Sequence, residues 1–201
     1  MKGGKQLTLK QLVVSGCICA ITAIVPAACA ATRECVAGRP TAASYTWNFR
    51  QEADGIFQDI QSDAVQARSH ADYLDRFVAE PDLSWEAHAD QLAQLQSEIN
   101  DIGNRLCRLE TIRRVVAPWQ QRSIDHIARS VQLMADNAQD AILFLNNNQE
   151  TLWSPAYRRY VQNLRNEAGD LTASVGNAVE YAKVNTEYHE LRRDIGVKAR
   201  S

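Results

Sequence analysis

Apolar side chains recur through the middle of the chain at an unbroken helical spacing. From Trp85 the series runs His88, Leu92, Leu95, Ile99, Ile102, Leu106 and Leu109, in alternating steps of three and four. Only a helix gathers such a series onto one stripe, and a mean step of 3.5 marks helices that pack along their length. A lone helix would leave that stripe in water, so the rest of the chain has to supply partners.

Three further segments repeat the pattern. A first helix is expected over about 44–79, with the stripe Phe49, Ala53, Ile56, Ile60, Ala64, Ala67, Ala71, Leu74 and Val78, and Pro81 beyond its end. Its central alanines predict close approach of a neighbour. The helix that carries the seam is expected over about 84–115. Ser84 stands at its N-cap, Glu86 in its first turn, and Arg113 and Arg114 at its C-terminal end. The third is expected over 118–146, opening on Pro118 and closing at Asn146-Asn147-Asn148. Its stripe is Ile124, Ile127, Val131, Met134, Ala138, Ala141 and Leu145.

The fourth, over about 155–195, opens on Ser154-Pro155, a capping serine followed by a proline suited to the first helical position. Its stripe, Tyr157, Val161, Leu164, Ala168, Leu171, Val175, Ala178 and Ala182, then slips in phase toward Val184, Tyr188, Leu191 and Ile195. Gly169 and Gly176 share one face of it and predict close helix packing there.

Four helices of similar length with short turns predict an all-α fold. The expected form is an elongated antiparallel up-down-up-down four-helix bundle with coiled-coil-like seams, about 45–60 Å long. Trp47 and Trp119 fall at the starts of the first and third helices, Trp85 and Trp153 at those of the second and fourth. Tyr45 and Tyr188 belong with the first pair; Phe77, Phe144 and Tyr157 belong with the second. Each end is therefore expected to hold aromatic rings, which fill a widening bundle end or, where exposed, anchor an interface.

The first thirty residues form a separate object. Lys2, Lys5 and Lys10 precede an apolar run from Leu12 that closes on Ala28-Cys29-Ala30, which predicts a signal peptide over 1–30 cleaved after Ala30. An extended leader, 31–43, follows. Two alternatives stand beside cleavage: retention of 12–30 as a membrane anchor, since about 20 apolar residues span a bilayer, and lipidation at Cys29. Cleavage removes three lysines and moves the net charge from −2 to −5. A mildly acidic chain without a basic stripe is not a nucleic-acid binder. Contact with a membrane is expected only through the N-terminal segment.

Export leaves Cys35 and Cys107, a candidate disulfide in an oxidising compartment. The histidines do not show the Glu-x-x-His spacing of di-iron bundles or a Cys-x-x-Cys-His haem attachment. His88, His126 and Met134 are the weak candidates for a cofactor site, and no metal set stands out. Nucleophile elbows, phosphate-cradling glycine loops and His-Glu-x-x-His are absent from the sequence. The expectation is an exported, non-enzymatic helical interaction or structural module of a bacterial-type cell envelope, periplasmic or secreted. It would engage a protein partner or itself and carry no cofactor. The alternative is a small-ligand, haem or metal carrier using the bundle interior.

Overall fold

The computed structural model describes residues 48–80 and 82–198. The segments expected to be signal peptide and leader, with Cys35, Tyr45 and Trp47, lie outside the described residues. Among these residues the chain forms four α-helices and no strand: α1 (Phe49–Phe77), α2 (Trp85–Ile112), α3 (Pro118–Asn147) and α4 (Pro155–Lys198).

The helix ends follow local chemistry. α1 begins at Phe49, where the Asn48 side chain accepts from the Gln51 amide at 3.2 Å and sets the N-cap. Ser84 holds the N-cap position of α2 in extended backbone, yet its hydroxyl makes no capping hydrogen bond. α2 stops at Ile112, and Arg113–Val115 tighten into a 3-10 turn instead of continuing the helix. Pro118 requires Ala117 to be extended, so the chain leaves helical geometry just before it. Ser154 caps α4, its hydroxyl accepting from the Tyr157 amide at 3.4 Å.

α1 and α3 each pack on both α2 and α4. Positions that ascend along α1 meet positions that descend along α2. Arg108 donates to Glu52 at 2.7 Å, Arg105 to Asp63 at 2.6 Å, and Gln91 meets His70 at 3.1 Å. Between α4 and α1, Arg165 donates to Asp75 at 3.0 Å and Thr172 to the Ala64 carbonyl at 3.2 Å. Between α3 and α4, Asn163 donates to Asn137 at 3.1 Å, and Trp119 stacks near Tyr181 with ring centroids 4.8 Å apart.

The stripes form the core. On α2, His88, Leu92, Leu95, Ile99, Ile102 and Leu109 are buried, while Trp85 and Leu106 are half-buried. They meet Phe57, Ile60 and Leu74 of α1, Ile124, Ile127 and Met134 of α3, and Val161, Leu164 and Leu171 of α4, all buried. Each large aliphatic hidden in this way contributes about 1.5–3 kcal/mol.

Close approach of α1 and α4 is made by alanines. Ala64, Ala67 and Ala71 of α1 and Ala168 of α4 are fully buried, and there Thr172 reaches the backbone of α1. The glycines do not make it, contrary to the pattern read from their spacing. A Cβ at Gly169 would meet nothing within 4 Å, and one at Gly176 would meet only Gln61 Nε2 at 3.5 Å, an ordinary contact.

Candidate functional site: the two ends of the bundle

The turns after α1 and α3 bring rings together at one end. Phe77 and Tyr157 both approach His88, at 5.7 and 5.5 Å between centroids, and Phe144 stacks on Tyr157 at 5.7 Å. The Tyr157 hydroxyl and His88 Nδ1 share a buried 3.3 Å hydrogen bond. Burial lowers the pKa of His88 and raises that of Tyr157, so both stay neutral near pH 7. The space beside His88, bounded by Phe77, Leu83, Leu152 and Trp153, is about 40 Å³. That is room for water and too little for haem. Trp85 packs half-buried against the core, whereas Trp153 points outward, 61% exposed, and the neighbouring Leu152 takes the buried place.

The opposite end is tied by an amide. Gln120, buried at the first turn of α3, accepts from the Ala117 amide at 2.8 Å. It donates to the Arg50 carbonyl at 2.9 Å and to Asp54 at 2.8 Å. Burial raises the Asp54 pKa, and the Gln120 bond opposes that rise. Trp119 is half-buried between Phe57 and Tyr181. It lines an open groove of about 420 Å³ between α3 and α4, with Arg122, His126 and Asn177 among the other walls.

The sequence-derived cofactor candidates do not meet. His88 lies beside Tyr157, and exposed His126 lies in the groove that ends at Tyr181. Tyr157 and Tyr181 stand about 35 Å apart along α4. Met134 is fully buried in the core. Among the described residues no group of three or more His, Cys, Asp or Glu side chains is placed to hold a metal ion, and no helix is long and apolar enough to cross a membrane. Cys107 is half-buried on α2 next to Leu106.

The most unusual surface lies on α4. The stripe that faces the bundle is buried through Ala182. Continued at the same spacing it would use Asn185, His189 and Arg192, all polar. A second stripe takes over on another face: Tyr181, Val184, Tyr188, Leu191 and Ile195, spaced three, four, three, four and 52–61% exposed. Trp119 marks the start of α3 level with Tyr181, and α4 runs on from there for about 25 Å. Extending the α1–α4 register past Thr172 and Ala64 places Phe49 level with roughly Tyr188. The last turns of α4 thus project past the other described helices with a hydrophobic edge in solvent. The phase slip was the sequence signal for this surface.

Among the described residues these features define a helical bundle with one sealed aromatic end and one open end that bears an exposed apolar helical seam. No protein-family model, curated protein or solved structure matches the chain.

Proposed function

We propose that this chain is an exported, non-enzymatic helical interaction module of a bacterial-type cell envelope. In this reading it is an elongated antiparallel up-down-up-down bundle that presents a docking surface on the projecting end of α4. One observation carries it: five large apolar residues in unbroken helical register, each more than half exposed. Isolated exposed apolar residues are ordinary, but a continuous apolar patch marks an interaction site.

Export rests on the order of basic residues, apolar run and small-residue cleavage pattern across 1–30. Retention of 12–30 as an anchor, or lipidation at Cys29, would place the same module at a membrane surface. In the same reading Cys107 closes a disulfide with Cys35 after export. Support comes from the sequence alone: Cys35 and Cys107 are the two cysteines that remain once 1–30 is removed, and an oxidising compartment favours pairing them.

The ligand-carrier alternative is favoured by a single feature, the groove of about 420 Å³ beside Trp119, His126 and Tyr181. A Soret band or bound metal in purified protein would select it.

A photoreactive phenylalanine analogue placed at Tyr188 in the exported protein tests the interaction reading, with Gln162, exposed on the packed half of α4, as the control position. A covalent protein adduct is expected from 188 and not from 162. Absence of any adduct at 188 overturns the reading. Intact mass of the same protein should begin at Ala31 and be two hydrogens lighter than the reduced chain.

A further inference from the structure

We infer that the occupant of the exposed α4 seam is a second copy of the same helix, in a parallel two-stranded coiled coil. The inference rests on the reading of this seam as an interaction surface and names its partner.

The pattern is that of a coiled-coil edge. Tyr181, Tyr188 and Ile195 fall at one core position of successive heptads, and Val184 and Leu191 at the other. At the C-terminal end of the seam Ile195 at the first position and Leu191 at the second match the choice that favours two strands, while Tyr181, Tyr188 and Val184 do not discriminate.

Flanking charge then selects the partner and its direction. The residues just before the first core positions are Glu180, Glu187 and Asp194, all acidic. Those just after the second core positions are Asn185 and Arg192. In a parallel pair the first set faces the second set of the neighbour, five residues further on. Glu187 of each copy then meets Arg192 of the other, twice across the interface, and Glu180 meets the neutral Asn185. An antiparallel pair would set acid against acid and arginine against arginine, which is repulsive. Neither Glu187 nor Arg192 has an ion-pair partner among the described residues, and both are exposed.

The chain's own leader is a poorer occupant. Between 31 and 47 the large apolar residues are Val36, Tyr45 and Trp47, too few and too unevenly spaced to match five seam positions at steps of three and four.

Sedimentation velocity and native mass spectrometry of the protein recovered after export test this. A concentration-dependent species of twice the chain mass is expected. Leu191→Asp should abolish it while the helical circular dichroism of the bundle persists. Glu187→Arg and Arg192→Glu should each weaken the dimer by about tenfold or more, since two attractive pairs become repulsive. The double variant should recover most of that loss. The proposal is overturned if the protein stays monomeric, if the dimer survives Leu191→Asp, or if Glu187→Arg tightens it. A monomer that still gives an adduct from 188 to a different protein would sink self-association and leave the interaction module standing. A monomer with no adduct would remove both.

Discussion

Both ends of the bundle are built around aromatic rings, and they are finished in opposite ways. At the sealed end, Tyr157 is fully buried, bonded to His88 and stacked on Phe144. At the open end, Tyr181 and Tyr188 are 52% and 58% exposed on the same helix, twenty-four and more residues further on. The side-chain chemistry is alike, so the difference lies in what surrounds it. Two turns close over Tyr157, whereas α4 outruns α3 at Tyr181 and α1 near Tyr188. A tyrosine at the sealed end serves stability, and one at the open end is available to another molecule.

Mutations that separate stability from surface sharpen this contrast. Truncation of Tyr157 to alanine should cost about 3–5 kcal/mol, the range for a buried aromatic ring, as read from the denaturation midpoint and slope. Leu191→Ala should change unfolding of the monomer by less than about 0.5 kcal/mol, as surface substitutions do. Equal costs at the two positions would break the comparison.

The next effect concerns protons. Burial lowers the pKa of His88 from its ordinary value, so as pH falls the unfolded chain takes up the proton first. The stability that neutral His88 supports is complete above about pH 6.5 and is lost as pH drops below it, by at most about 1.4 kcal/mol per pH unit. His88→Gln keeps a hydrogen-bonding group at that position and should flatten this part of the pH–stability curve. An unchanged slope in the variant would remove His88 as its source.

The smallest effect is a gain. Gly169→Ala should stabilise by about 1 kcal/mol, the propensity difference within a helix, because a Cβ there meets no neighbour. Gly196→Ala, on the projection, should leave the global unfolding transition where it is. Destabilisation by Gly169→Ala would show that this face is packed more tightly than its surroundings indicate.

The helices were legible because their apolar stripes have a period, and the period reports which side of a segment must leave water. His88, Leu92, Leu95, Ile99 and Ile102 could be placed in the core on that ground alone, as could the alanines that let α4 approach α1. The slip toward Val184, Tyr188, Leu191 and Ile195 was equally visible. Its meaning was not, since an exposed seam depends on where the other three helices stop.

Other features escaped for local reasons. Periodicity carries no information about a turn, so nothing in the sequence said that Leu152 would turn inward and Trp153 outward. Gln120 was missed although it sits three residues after Ala117, the spacing at which a glutamine side chain returns to cap a helix start. Its further bonds to Arg50 and Asp54 join residues about seventy apart in sequence, and no local pattern encodes them. Glycine spacing misled because seven residues place two glycines on one face without saying what lies opposite.

The Gln120 knot also has a practical corollary. It fastens the start of α1 to the start of α3, beside the root of the α4 projection, so Asn48 and the free stretch of α4 emerge from one pole. A fluorophore near Asn48 and another on the projection would report on the same neighbourhood. A third, in the turn at Gln149–Trp153, would watch the far pole, and energy transfer between the poles would serve as a ruler for the bundle in solution.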